Sequence, residues 1–82
     1  MPRYYFDLKD SLGTAVDEEG LVLRDLAAAQ HEAALSLGGM TRDAVATTNG
    51  DGAAQMEIEV RDDDGHVMTV RFSFEITKKR QS

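Results

Sequence analysis

Residues 55–76 read QMEIEVRDDDGHVMTVRFSFEI, and this stretch decides the fold. In both halves apolar side chains alternate with polar ones, which is the period of a strand with one buried face. The acidic segment between the halves, residues 62–65, ends in glycine and has the composition of a tight turn. The stretch therefore predicts a β-hairpin. Its apolar face consists of Met56, Ile58, Val60, Met68, Val70, Phe72, Phe74 and Ile76.

The amino-terminal part of the chain predicts two shorter strands. The first runs over residues 3–8, where aromatic and aliphatic residues alternate with polar ones. A glycine-containing turn separates it from a second strand at about residues 14–17. The apolar residues 21–23 follow, and we expect them to fold back over the end of the next element. The buried face of the first strand consists of Tyr4, Phe6 and Leu8.

The middle of the chain predicts one amphipathic helix that begins at Leu26 and ends at about Thr47. Asp25 is its predicted N-cap, because a carboxylate there accepts hydrogen bonds from the free amides of the first turn. The apolar stripe continues through Gly38 and Gly39, which favours one helix over two and makes this pair its weakest turn. The stripe predicted to face the sheet consists of Leu26, Ala29, Gln30, Ala33, Leu37, Met40 and Ala44.

The predicted order of elements is strand, strand, helix, strand, strand. This order favours an α+β fold in which one helix packs on one face of a four-stranded, mainly antiparallel sheet. The length of the final strand favours a central position for it, and the rest of the strand order stays open. At 82 residues the chain has the size of a single domain, and we expect residues 77–82 to form a frayed tail.

Composition excludes several classes of function. Nine Lys and Arg residues against fifteen Asp and Glu residues give a formal net charge of −6. Such a charge repels phosphate backbones and anionic membranes, so we expect neither nucleic acid nor a membrane as a partner. The chain has no cysteine, which excludes disulfides, thiolate metal sites and cysteine nucleophiles and favours a cytoplasmic location.

The opening MPRYYF, the segment DEEG at residues 17–20, the alanine-rich helix and the D-x-x-G hairpin turn form a combined pattern. This pattern resembles a family of short bacterial domains of unknown function that open M-P-R-Y-[FY]-F and continue with D-x-E-G and an alanine-rich helix. The resemblance implies a stand-alone bacterial cytoplasmic protein, and no assigned activity comes with it. Gly38 and Gly39 depart from the alanine, leucine and arginine content usual at that point of the family.

Weak candidates for a metal site lie in and beside the hairpin turn: Asp62, Asp64 and His66. Carboxylate oxygens suit calcium or magnesium, and an imidazole suits zinc. The spacing differs from that of an EF-hand loop, and a solvated turn explains the same residues by their effect on solubility. We therefore predict no metal and no cofactor.

The sequence contains no recognisable catalytic constellation. His31 and His66 lie on different predicted elements, and no serine is constrained to lie beside either of them. A small domain with one helix also offers little volume for a small-molecule cleft. We therefore predict that the chain is not an enzyme and has no catalytic or cofactor-binding residue.

The outer face of the predicted helix is a candidate interaction surface. It is small and partly apolar around one leucine, so another backbone could approach it closely. The alternative is an ordinary alanine-rich solvent face, on which a lone leucine needs no explanation. Edge strands offer a second route to association, through their unpaired amides and carbonyls. The candidate interaction residues are Ala28, His31, Leu35, Gly38, Gly39 and Arg42.

The polar face of the predicted sheet carries charges of both signs. We expect this face to be solvated and crossed by ion pairs between neighbouring strands. Tyr5 lies among these charges, where it could stack on a ligand, although an exposed tyrosine on a strand is common. The face consists of Arg3, Tyr5, Asp7, Glu57, Glu59, Arg61, Thr69, Arg71, Ser73 and Glu75.

Two functional hypotheses follow from these patterns. The first is a small cytoplasmic interaction or accessory module that acts by self-association, as a homodimer, or by binding a protein partner. The alternative is an acidic regulator or mimic that binds a basic partner, or a cation at the turn of residues 62–66.

Overall fold

A computed structural model of the chain describes residues 1–80, which form one helix and an antiparallel sheet. The predicted α+β class is confirmed, and the sheet has five strands where four were predicted. All strand pairs are antiparallel. The elements in chain order are β1 (Arg3–Asp10), β2 (Gly13–Ala15), β3 (Leu21–Val22), α1 (Leu26–Thr47), β4 (Gly52–Asp62) and β5 (Gly65–Ile76).

The predicted hairpin is formed by β4 and β5. Its register pairs Met56 with Phe72 and Asp62 with Gly65, so that two residues remain in the turn. A β-bulge between Val60 and Arg61 shifts the register close to this turn. Gly65 has a φ of +127°, a conformation that favours glycine, as the sequence predicted. The alternating apolar residues of both strands therefore share one face.

The strand order is β2-β1-β4-β5, and β3 pairs with β1 beyond the end of β2. The prediction that the final strand is central is wrong, because β4 occupies that position and β5 lies at an edge. An ion pair links β4 to its neighbour on each side. Its Glu57 bonds Arg71 of β5 at 2.9 Å, and its Glu59 bonds Lys9 of β1 at 2.8 Å. The predicted cross-strand ion pairs are thereby confirmed.

Residues 21–23 do not fold over the end of the helix, so that prediction is wrong. Leu21 and Val22 form β3, which pairs with Tyr4 and Arg3 of β1. The amide of Leu23 continues this pairing by donating a hydrogen bond to the carbonyl of Pro2, at 3.1 Å. The free edge of β1 thus provides hydrogen-bond partners for the backbone of this segment. A position over the end of the helix would not provide such a row of partners.

The helix α1 spans 22 residues without interruption at its two glycines, as predicted. The carboxylate of Asp25 caps it by accepting a hydrogen bond from the amide of Ala28, at 2.9 Å. The helix packs against β4 and β5. Its buried side chains are those of Ala29, Ala33, Leu37 and Thr41.

This buried stripe is narrower than predicted. Leu26 is 46% exposed and Gln30 is exposed, so both predicted core positions are wrong. Met40 and Ala44 pack against the core only in part. Thr41 was not expected in the core, and its hydroxyl can be buried because it donates to the carbonyl of Leu37 at 2.8 Å.

The domain is elongated, and its apolar sheet face is incompletely covered. The principal extents are 52 × 22 × 17 Å, and the radius of gyration is 15.0 Å, where a compact domain of this length has about 12 Å. The central residues Met56, Ile58 and Val60 are buried, whereas Phe72 on the edge strand remains 41% exposed. One helix therefore shields the middle of the sheet and leaves part of β5 open to solvent.

A close backbone contact fixes the start of β3. Gly20 has a φ of +69°, and a Cβ atom built on it would lie 2.7 Å from the carbonyl oxygen of Tyr4 and 2.9 Å from the ring of Tyr5. The segment can approach β1 only because this position has no side chain. The glycine that ends the D-x-E-G pattern therefore has a packing role.

We expect Gly20→Ala to lower the free energy of unfolding by about 2 kcal/mol or more, since it adds a clash with backbone to the strain of a positive φ. Gly50→Ala is a matched control, because Gly50 has a φ of +74° and nothing within 4 Å of an added Cβ. Urea denaturation of both variants measures the difference. Equal losses in the two variants would contradict the role assigned to the close contact.

Candidate functional site

Four residues form a polar cluster on the sheet face opposite the helix, here called the Asp7 cluster: Tyr5, Asp7, Asp17 and Arg61. The Arg61 Nε atom donates to the Asp7 Oδ2 atom at 2.8 Å, and its guanidinium carbon lies 4.4 Å from the centre of the Tyr5 ring. Asp7 is only 9% exposed. The prediction of a solvated face is therefore wrong at Asp7, because strand pairing and the loop before β3 cover this carboxylate.

Asp17 fastens that loop to β1. Its side chain accepts hydrogen bonds from the amides of Phe6, Glu19 and Gly20, each at 3.1 Å. Its own amide donates to the Asp7 Oδ1 atom at 2.9 Å. Since β2 and β3 pair with the two ends of β1, this carboxylate satisfies an amide of β1 that faces neither strand.

The backbone of Asp17 also connects the loop to β4. Its carbonyl oxygen accepts a hydrogen bond from the Arg61 Nη2 atom at 2.8 Å. Arg61 therefore holds the loop and Asp7 together from the neighbouring strand. The result is a network that joins three segments distant in the sequence.

Burial has the largest effect on the pKa of both carboxyl groups, and alone it would raise each pKa. For Asp7, the hydrogen bonds from Arg61 and from the amide of Asp17, with the guanidinium charge, outweigh burial and hold the pKa below its ordinary value. For Asp17, three backbone amides and the Arg61 charge lower the pKa in the same way. Both carboxylates are thus ionised at neutral pH.

The Asp7 cluster has a structural role, because it holds the loop before β3 against β1 and β4. The Asp7 carboxylate accepts hydrogen bonds from Arg61 and from the amide of Asp17, and the Asp17 carboxylate accepts from backbone amides. The guanidinium of Arg61 lies against the Tyr5 ring, so that the ring is paired within the chain. We find here the geometry that fastens a loop, and we assign the cluster no ligand.

Sequence reasoning missed the role of Asp17, which it placed only at the end of the second predicted strand. The available signal was local: an aspartate two and three residues before Glu19 and Gly20 can accept from both amides and stabilise a turn. The bonds to Phe6 and Asp7 depend on strand pairing, and no local pattern encodes them.

The weak metal candidates of the hairpin are engaged with their neighbours. The carboxylate of Asp62 accepts from the amide of Asp64 at 2.8 Å, and the His66 Nε2 atom lies 2.9 Å from the hydroxyl oxygen of Thr69. Within residues 1–80 no three His, Cys, Asp or Glu side chains converge on a common point. The structure therefore gives these residues the geometry of a turn.

Neither histidine has the surroundings of a catalytic base. His31 is exposed on α1, and His66 is exposed at the start of β5. The surface depressions of the sheet include one lined by Lys9, Asp10 and Gln55, residues that lie along strands β1 and β4. Absence of enzymatic activity stays a prediction.

The predicted interaction residues all lie on α1, and most of them are exposed. Leu35 is 60% exposed, His31 and Arg42 are exposed, and Ala28 is half-buried. A Cβ atom added at residue 38 or 39 would have nothing within 4 Å. Packing within the domain therefore does not require either glycine, and the role of this face in binding stays a prediction.

We expect acid to destabilise the domain, because the unfolded chain binds protons more readily than Asp7 and Asp17 in the folded state. The stabilisation is complete above about pH 5 and is lost as the pH falls through the lowered pKa values. Asp17→Asn should lower the free energy of unfolding at pH 7 by about 1 to 3 kcal/mol and flatten its dependence on acid pH.

Urea denaturation between pH 7 and pH 2.5 measures both effects. Asp63→Asn is the matched control, since this exposed turn residue should change stability by less than about 0.5 kcal/mol. An Asp17→Asn protein with the stability and acid sensitivity of the parent would contradict the structural role assigned to Asp17.

No helix within residues 1–80 combines the length and the apolar content that crossing a membrane requires. No curated protein and no solved structure matched the chain. A family model described as a domain of unknown function, DUF6894, matches residues 3–73. The match runs from the first residue of β1 into β5 and includes the Asp7 cluster and the whole of α1. Because it spans most of the 82 residues, the chain belongs to the DUF6894 family.

Proposed function

We propose that this domain is a protein interaction module that acts by associating with a second copy of itself. The observation that carries the proposal is the incomplete cover of its apolar sheet face by a single helix. A setting in the bacterial cytoplasm stays a prediction from the sequence.

The surface area supports this proposal. The accessible surface is 5865 Å², whereas a compact monomer of 9.0 kDa has about 4,900 Å². The excess is of the same order as the roughly 800 Å² that each partner contributes to a stable interface. The surface that a second copy would cover is therefore about equal to the surface that this domain exposes in excess of a compact monomer.

The exposed apolar side chains also support the proposal, because several lie on regular elements and not in loops. Phe72 lies on β5 and Leu35 lies on α1, and both are large residues with substantial exposure. Aromatic residues in particular are frequent anchors of interfaces. The other large exposed apolar residues on α1 and β5 are Leu26, Val45 and Val67.

The net charge of −6 sets a condition on association. Two copies repel each other, and at physiological ionic strength salt screens this repulsion at separations beyond about 8 Å. We therefore expect association to strengthen as salt rises from low to moderate concentration. An interaction with nucleic acid would show the opposite dependence.

Light scattering after size exclusion should give a mass near twice 9.0 kDa at moderate salt, since the uncovered face favours a pair of chains. A series of protein concentrations at low and moderate salt measures the dependence on charge. A single-chain mass at millimolar protein and moderate salt would contradict the proposal.

Leu35→Arg tests whether the outer face of α1 forms the interface. A charged side chain at this exposed position should disrupt a helix-mediated pair and leave any other interface intact. Retention of the doubled mass in this variant would place the contact elsewhere on the domain.

A further inference from the structure

The outer edge of β5 is long and unprotected. Within residues 1–80, β5 pairs only with β4, so alternate residues along its 12-residue length, about 40 Å, present unpaired amides and carbonyls at the other edge. Such an edge is a template for another strand unless charge, proline or a cover protects it. β5 contains neither lysine nor proline, and its two formal charges, at Arg71 and Glu75, are of opposite sign. Its bulge lies near the hairpin turn, away from residues 70–76.

We propose that a second copy of this chain pairs with this edge, β5 against β5 in antiparallel orientation, so that the Ser73 residues of the two copies lie opposite each other across the two-fold axis. The inference rests on the proposed self-association and assigns it a surface and a register. The two sheets then become one continuous sheet, and both helices lie on the same face of it.

Charge complementarity selects this register. Arg71 and Glu75 lie on the polar face of β5, each two residues from Ser73. Pairing about Ser73 places Arg71 across from Glu75 of the second copy, and symmetry repeats this contact. No other two-fold register pairs these residues, and centring on Arg71 or on Glu75 would place like charges directly opposite.

The side chains are available for this contact. Arg71 bonds Glu57 on β4 through its Nε atom at 2.9 Å, yet its side chain is 58% exposed. A guanidinium has five N–H donors, so Arg71 can bond a carboxylate on each side. Glu75 is exposed and forms no salt bridge with any residue of the described chain.

The apolar face matches in the same register. Phe72 lies across from Phe74 of the second copy, and Val70 lies across from Ile76. The 41% exposed ring of Phe72 thereby gains an aromatic neighbour on the face that the helices occupy. One register thus satisfies the polar face and the apolar face together.

Cross-linking tests the register, because the chain has no cysteine and a single introduced thiol can pair only with its own copy. Residues directly opposite in antiparallel strands have Cα atoms about 4.5 to 5.5 Å apart, which is within the range of a disulfide. We expect Ser73→Cys to form a covalent dimer under mild oxidation.

Thr69→Cys is the matched control, since Thr69 is exposed on the same face of the same strand. In the proposed register the two copies of this residue lie about 26 Å apart, too far for a disulfide. Equal cross-linking of the two variants, or none in Ser73→Cys, would overturn the register.

Charge reversal tests the same contact without cross-linking. Glu75→Arg turns two attractions into two repulsions, so we expect its dissociation constant to rise about tenfold. Glu18→Arg makes the same change of charge at an exposed loop position and should not weaken the pair. Thermal unfolding monitored by circular dichroism shows whether each variant remains folded.

The outcomes separate this inference from the proposed function. A single-chain mass for the parent protein overturns both. A doubled mass that persists in Glu75→Arg and is lost in Leu35→Arg keeps self-association and overturns the β5 pairing. A doubled mass that survives Leu35→Arg, falls in Glu75→Arg and is trapped by Ser73→Cys supports the pairing.

Discussion

The burial of β4 between two strands and beneath the helix is the constraint on which the structure depends. Ile58 and Val60 are almost fully buried there, and Ala29 and Ala33 of α1 have no exposed surface. Small residues on the helix allow it to approach the sheet closely. Every other element is arranged about this contact, and its limited width explains why the rim of the sheet stays open.

The sequence predicted those features that local patterns encode. Alternation identified β4 and β5, and helical spacing with an aspartate cap identified both ends of α1, since each signal depends on residues close in the chain. Strand order was not readable, because β1 pairs with β4 across about 50 residues, as in the Leu8 and Ile58 pair. The 46% exposure of Leu26 likewise depends on how the helix lies against the sheet, which no helical pattern specifies.

The same distinction applies to the candidate sites. The exposure of Leu35 followed from its position on the helical circumference, and the structure shows that face open. Asp17 lies within a recognisable turn, but its place in a network with Asp7 and Arg61 appears only once β1 lies beside β4. A charged residue on a strand face is therefore either exposed to solvent or bonded to a neighbouring segment, and it is the second where a loop buries it.

The register of the sheet also determines where the chain enters and leaves the domain. Tyr5 near the start of β1 lies across from Arg61, while Ile76 at the end of β5 lies across from Gly52. These points are at opposite ends of β4, about 30 Å apart along the strand direction. Fluorescent or affinity groups fused before β1 and after β5 would therefore project from opposite poles of the molecule and would not compete for space.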